Sequence, residues 1–283
     1  MRADIGAQVG FGTGALKKAM VMPEGDTIYR VAARMARYVD GHRVSAFTDR
    51  HGTFDPADFF GHMLVQTEAR GKHLLMHFES GQIMHSHMGM TGAWHIYPKG
   101  QPWQKPMQRC RLWFEFDDVQ LVLFSPKLIE VFARERLPRH PLLGRLGPDL
   151  LSPEPDIDAA CARLLAHKKL PLGVALMNQQ LVAGLGNVYK SELMFIERLD
   201  PFKPVGTLSQ TRIAEVLARG RTLMRRNLDG SPRRTRYTSK GPRLWVYNRH
   251  RQPCFVCGET IARTLQGDAG RSTYWCRSCQ ATG

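Results

Sequence analysis

The spacing of apolar positions changes along this chain, and each change marks an element. From Asp26 onward, Ile28, Val31, Ala32, Met35 and then Tyr38 or Val39 recur at helical spacing, while Arg30, Arg34 and Arg37 take the opposite face. With Gly41 as a stop, this predicts one amphipathic helix of about four turns. The period then falls to two. MLVQTEAR, KHLLMHF and QIMHSHM (the last two around the turn ESG), then RLWFEF and VQLVLF around Asp117-Asp118, alternate as half-buried strands do. Residues 42–135 therefore predict an antiparallel β domain. Residues 137–156, LPRHPLLGRLGPDLLSPEPD, are crowded with Pro and Gly and read as a linker. Helical spacing returns in DAACARLLAHKK, PLGVALMNQQ, NVYKSELMFIERL and SQTRIAEVLARGRTLMRRNL, with LVAGLG between the middle pair. SPRRTRYTSKGPR, residues 231–243, is basic and turn-rich and predicts a mobile loop.

Composition places these elements in a folded protein with a polyanionic partner. The 283 residues are 43% hydrophobic, enough for a sizeable core, and no run of 18 apolar residues offers a membrane span. The Gly-rich first residues show neither a signal-peptide pattern nor a clear period. Lys and Arg number 40 against 25 Asp and Glu, a formal charge of +15. Residues 201–283 alone hold sixteen basic and four acidic residues. A solvated arginine-rich surface accounts for the residue type but not for that segregation, which points to nucleic acid.

The most specific chemical signal follows the basic loop. Cys254-x-x-Cys257 and Cys276-x-x-Cys279 are separated by 18 residues, room for a β-hairpin that brings two thiolate pairs to one tetrahedral ion. One structural zinc is expected, since four protein ligands leave no open position. Disulfides are disfavoured without a secretory signal. Cys110 and Cys161 read as ordinary buried residues. In LVAGLGN, Gly184 and Gly186 permit a close turn, and Asn187 begins the next helix, where it is either a simple cap or a phosphate ligand.

Taken in order, MPEGDTIYR, ARGKHLL, SHMGMTG, NQQLVAGLGNVYKSE and VYNRHRQPCFVCGETI with GRSTYWCRSCQ resemble the Fpg/Nei family of DNA glycosylases (formamidopyrimidine-DNA glycosylase and endonuclease VIII). The resemblance runs from Met22 to the end, and Pro-Glu-Gly looks closer to the endonuclease VIII branch. It implies an α+β, multi-domain fold. Residues 1–22 would be a disordered or non-native extension, 23–136 an N-terminal helix and catalytic antiparallel β-sandwich, and 137–156 a linker. Residues 157–250 would be a helical domain with a helix-two-turn-helix, and 251–283 a zinc-finger β-hairpin.

The resemblance also implies chemistry. With Met22 as the functional start and removed, the amine of Pro23 would attack C1′ of a damaged nucleotide and displace the base as an iminium forms. Glu24 would be the general acid/base; read alone, it is an acidic residue favourable to a helix N-terminus. Lys72, otherwise a turn lysine, Asn187 and Arg271 would hold phosphates beside the flipped nucleotide. Met90, otherwise a core methionine, would be the wedge that fills the gap. The expected activity is a DNA glycosylase and AP lyase removing oxidised bases, with pyrimidines favoured, by β,δ-elimination. Double-stranded DNA with oxidised bases or abasic sites would be the partner of a monomer in the bacterial cytoplasm, at the nucleoid. Alternatives are a non-catalytic damaged-DNA binder that never exposes Pro23, a formamidopyrimidine or 8-oxoguanine enzyme, and a zinc-ribbon RNA-binding protein. Two departures stand out. Thr27 occupies a position where formamidopyrimidine glycosylases have Glu, leaving its charge missing or moved to Asp26, and RLWFEF offers Trp113 and Phe116 for the remaining intercalating residues.

Overall fold

The computed structural model describes residues 23–238 and 240–281; the expectation for residues 1–22 lies outside them. Helix α1 (Gly25–Val39) buries Ile28, Ala32, Met35 and Val39, the stripe that its spacing requires. Gly41 follows with φ +80°, a backbone state open to glycine. Then come β1 (Ala46–Asp49), β2 (Leu64–Arg70), β3 (His73–Phe78), β4 (Gln82–His87), β5 (Ala93–Pro98), β6 (Cys110–Glu115), β7 (Val119–Phe124) and β8 (Leu128–Ala133). They form two antiparallel sheets, ordered β1-β6-β7-β5 and β2-β3-β4-β8.

The α1 stripe closes a core with Phe59, Phe78 and Phe114, in which Phe59 and Phe114 meet edge to face at 5.4 Å. Each such fully buried side chain contributes roughly 1.5–3 kcal/mol. The expected hairpins are present, and the β2–β3 turn carries Gly71 at φ +59° beside Lys72. Strands β1, β5 and β8 complete the sheets and were not read from the sequence.

The second half holds α2 (Ile157–Leu165), α3 (Leu172–Ala175), α4 (Asn187–Ile196) and α5 (Gln210–Arg225). Asp156 caps α2 by accepting from Ala159 N at 2.8 Å, and Ser209 caps α5 through Arg212 N at 3.1 Å. PLGVALMNQQ forms a single turn instead of the expected helix, because the chain leaves the axis and Gln179 takes over its backbone bonding. The Gln179 side chain donates to Met177 O and Leu185 O and accepts from Gly184 N. Residues 137–156 do not hang free: Leu143, Leu150 and Leu151 are buried. Asp149 Oδ2 accepts from Gly71 N at 2.6 Å and from Tyr29 OH at 2.9 Å, tying this segment to the Lys72 turn and to α1.

Strands β9 (Ala262–Gln266) and β10 (Arg271–Trp275) pair as an antiparallel hairpin that lies on α4. Helix α4 thus has the N-terminal segment at its start and the hairpin along its side. Its residues 187–195 are all buried, Lys190, Ser191 and Glu192 included. Among the described residues, no helix is long and apolar enough to cross a membrane.

Candidate active site

The first acidic residue after Pro23 caps a helix, but not the one it precedes. Glu24 is 1% exposed, and its carboxylate accepts from Gly186 N at 3.1 Å, Val188 N at 2.7 Å and Tyr189 N at 3.3 Å. These are free N–H groups at the start of α4, where the helix dipole also favours negative charge. The glycines of LVAGLG make the approach possible. A Cβ on Gly186 would collide with the Glu24 side chain, and one on Gly25 would lie 2.9 Å from Gly184 Cα. Gly25 N donates to Gly184 O at 2.9 Å, and Gly184 sits at φ +98°. Pro23, partly exposed, is the residue next to this anchored carboxylate.

Cations surround the carboxylate. Burial pushes the Lys72 ammonium down to about 8; Glu24 opposes this, while Arg271 and Arg233 add to it. Lys190, 1% exposed, is also pushed down to about 8 by burial, again opposed by Glu24 and reinforced by Arg271. Its Nζ donates to Thr273 Oγ1 at 2.7 Å and to Ser272 O at 3.2 Å, which fixes the strand carrying Arg271 against α4. The structure therefore brings Glu24, Lys72 and Arg271 into one electrostatic neighbourhood.

Asn187 opens α4 and is hydrogen-bonded to the Tyr247 side chain; its Oδ1 is buried without a partner. Turned by a half-rotation, the same amide accepts from Tyr247 and presents an N–H, the polarity a phosphate oxygen needs. Glu192, on the same helix, accepts from Trp245 N, Val246 N and Tyr247 N at 2.7–2.8 Å and from the Thr235 hydroxyl. Burial raises its pKa. Sequence reasoning passed over Tyr189, Lys190, Glu192 and Arg233, and named Asp26 only for the charge absent at Thr27. The signal that could have found Tyr189, Lys190 and Glu192 was the density of polar residues in NVYKSE, a segment otherwise apolar enough to be core; no local signal marks Arg233.

The four cysteines converge beneath the hairpin, with their sulfurs all within 4.8 Å of one another. Cys254 and Cys279 Sγ are 3.8 Å apart, and Cys257 and Cys276 Sγ 3.4 Å. These separations exceed a disulfide bond, about 2.05 Å. They approach the edge of about 3.8 Å that follows from tetrahedral metal–sulfur bonds of ~2.3 Å. Backbone N–H groups of Val256 and Cys279 point at Cys254 and Cys276 Sγ at 3.4 and 3.5 Å, which suits thiolates. The donor set fits one soft tetrahedral ion. Cys110 and Cys161 are buried elsewhere.

Met90 lies in the β4–β5 turn and is 48% exposed, so it is not core. Trp113 and Phe116 do not accompany it. Phe116 is fully buried in the sandwich, and Trp113 packs on Trp103 at 5.4 Å. The turn that abuts the one carrying Met90 is Ser125–Lys127: Lys127 N donates to His87 O at 2.9 Å, and a Cβ on Gly89 would meet Lys127 Cβ at 2.7 Å. Strand alternation alone could not show which hairpin tips meet.

His85 and His87 share a face, as their spacing predicts, and His85 joins His140 and Glu130 in a second cluster of ligating groups. Hydrogen bonds join its members. His140 Nδ1 accepts from Leu142 N and Leu143 N at 3.2 Å, so its Nε2 carries the proton toward Glu130 Oε1 at 3.0 Å. His85 Nδ1 meets the same oxygen at 2.7 Å.

Residues 22–127 match the formamidopyrimidine-DNA glycosylase N-terminal domain, and residues 146–237 match the formamidopyrimidine-DNA glycosylase H2TH domain. A protein of Streptomyces coelicolor named probable endonuclease 8 2 is 36% identical over 92% of this chain and 94% of its own length. The chain belongs to the Fpg/Nei family. The DNA-(apurinic or apyrimidinic site) lyase Nei2 of Mycolicibacterium smegmatis is 35% identical over 92% of this chain and 99% of its own length. Among solved structures, an Fpg of Lactococcus lactis in complex with Fapy-dG-containing DNA superposes with a TM-score of 0.76 at 22% identity. It covers 91% of this chain and 99% of that one, which confirms the Fpg/Nei fold: sandwich, helical domain and four-cysteine hairpin. MutM of Thermus thermophilus is 28% identical with a TM-score of 0.74, covering 92% of this chain and 100% of that one.

Proposed function

We propose that this Fpg/Nei chain is a bifunctional DNA glycosylase and AP lyase of base excision repair, with Pro23 as its N-terminal nucleophile once Met22 and the residues before it are absent. Its partner is double-stranded DNA carrying oxidised bases or abasic sites, which one chain engages in the bacterial cytoplasm, at the nucleoid. The observation that carries this reading is the carboxylate next to Pro23, held by three N–H groups of α4 amid Lys72, Lys190, Arg233 and Arg271. The match to the family begins at residue 22, which supports a start at Met22.

In the proposed reaction, the Pro23 nitrogen lone pair forms a bond to C1′ and the glycosidic bond breaks toward the base. Glu24 is placed to pass protons as the sugar ring opens. The resulting iminium acidifies the C2′ proton. Its removal expels the 3′ phosphate by β-elimination, and δ-elimination then expels the 5′ phosphate. Lys72, Asn187 and Arg271 hold the phosphates flanking the flipped nucleotide, and Met90 fills the vacated stack. Zinc on Cys254, Cys257, Cys276 and Cys279 supplies folding energy to the hairpin and takes no part in the reaction. The relatives named endonuclease 8 support a preference for oxidised pyrimidines over 8-oxoguanine and formamidopyrimidines.

A duplex with one 5-hydroxycytosine, treated with the chain that begins at Pro23, is expected to yield a one-nucleotide gap with phosphate on both ends, faster than an 8-oxoguanine duplex does. The Lys72 and Lys190 ammonium forms are lost as pH rises through about 8, so kcat/KM should fall on the alkaline side of that value. Binding without any strand product at any pH would favour the silent binder instead.

A further inference from the structure

The basic loop reaches the active site through Arg233, which is 8% exposed. Its Nε and Nη2 donate to Asp26 Oδ2 and Oδ1 at 2.9 and 2.5 Å, the paired geometry in which a guanidinium and a carboxylate fit best. Nη2 also donates to Thr27 Oγ1 at 3.0 Å, and Nη1 lies 4.0 Å from Glu24 Oε1. The guanidinium carbon stands 5.1 Å from the centre of the Tyr189 ring, and the Tyr189 hydroxyl donates to Asp26 Oδ2 at 3.0 Å. Asp26 itself is fully buried. Thr27 N donates to Asp26 Oδ1 at 2.8 Å, so the pair grips the first turn of α1.

The other end of this grip is equally fixed. Asn227 donates to Arg234 O and accepts from Arg234 N at 2.8 and 2.7 Å, Ser231 O accepts from Arg30 at 3.1 Å, and Thr235 is bonded to Glu192. Residues 231–235, expected as part of a mobile loop, are therefore a built root. The described residues of 237–243 form its exposed tip.

We propose that Arg233 is a positioning residue for the nucleophile, acting through Asp26: it locks the first turn of α1, and with it Pro23 and Glu24, to the root of the basic loop. This rests on the Pro23 chemistry proposed above. A buried ion pair is poor evidence of net stability, but the loss of one partner leaves the other charge without compensation. Losing Arg233 would therefore displace the carboxylate three residues from the reacting nitrogen, where a shift of about 1 Å is worth about a hundredfold in rate. Arg233 is not among the phosphate contacts assigned above to Lys72, Asn187 and Arg271, so DNA binding would be little altered.

The test uses the chain beginning at Pro23 with Arg233→Met, Arg233→Lys, Asp26→Asn and the combined variants. Two quantities are measured: the single-turnover rate of borohydride trapping on an abasic duplex at saturating protein, and Kd for a duplex with a tetrahydrofuran site. Arg233→Met is expected to slow trapping about a hundredfold while Kd moves by less than about threefold, and Arg233→Lys to recover about tenfold of the loss, because Lys keeps the charge without the fork. In the Asp26→Asn background the same substitution should slow trapping by less than about threefold further. If Arg233→Met does not fold, the Arg233→Lys and Asp26→Asn pair completes the same cycle. Additive effects in the double variant, or a loss confined to Kd, would overturn the proposal. The unsubstituted chain is measured alongside. If it fails to trap, the Pro23 chemistry is at fault and this proposal falls with it; if it traps normally, any failure belongs to Arg233 alone.

Discussion

Glu24→Gln in the chain beginning at Pro23 is expected to slow the chemical step by about 10³-fold, inside the range typical of lost acid–base catalysis, while the protein folds and holds an abasic duplex within a few-fold of its normal affinity. The geometry explains why so small a change has so large an effect. Three N–H donors converge on the two oxygens of Glu24. An amide offers one oxygen and places an NH2 against donors that have nowhere else to turn, at a cost of about 1–3 kcal/mol in stability. It can neither accept nor return a proton. Gly186→Ala should reproduce much of the rate loss without altering any titratable group, because its Cβ falls on the Glu24 side chain. Single-turnover trapping and urea unfolding of both variants check this. A Glu24→Gln variant with normal chemistry would remove Glu24 from the reaction.

The second large effect is expected on metal removal. Stripping zinc with a chelator, or Cys276→Ser, should lower trapping by about a hundredfold or more and weaken binding with it, since Arg271 is carried by the hairpin that the four cysteines anchor. The apolar cluster beneath that hairpin is small, essentially Phe195, Val246, Ile261 and Tyr274 around the cysteines themselves. Structural zinc supplies about 10–16 kcal/mol to such modules, far more than this cluster contributes. One zinc per chain, released with loss of activity and restored with it, is the expected measurement. Full activity in a metal-free chain would show that the bonds of Lys190 to Ser272 and Thr273 and of Tyr274 N to Ser191 Oγ suffice to hold the hairpin on α4.

These effects trace to contacts of very different sequence range, and that decides what the sequence could show. Helix α1, the hairpins and the paired cysteines are legible because their signals are local: period, turn residues and CxxC spacing. The short α3 was not, because Gln179 replaces helical bonds with side-chain bonds that no periodicity records. Strand β8, LIEVFA, lacks the alternation of a strand with one solvent face. Helical spacing in NVYKSELMFIERL does not show that Lys190 and Glu192 are buried, because residues 187–195 are covered on every side by distant segments. Glu24 finds its donors 162 to 165 positions away, and Asp26 finds Arg233 at a separation of 207. Contacts of that range were open to the sequence only where a family resemblance supplied them. It supplied Pro23, Glu24, Lys72, Met90, Asn187 and Arg271 as site residues, and offered Trp113 and Phe116 for a role that full burial denies Phe116, while Trp113, half-buried, packs on Trp103.

The central claim is that the amine of Pro23 is the reacting group, and one measurement addresses it directly. Borohydride trapping on an abasic duplex is run with the full 283-residue chain and with the chain beginning at Pro23, and the adduct is mapped by peptide mass. The account predicts an adduct only from the second protein, with the DNA-derived mass on the peptide that starts at Pro23. Equal trapping by the full chain, or a modified lysine peptide such as the one containing Lys72, would contradict it.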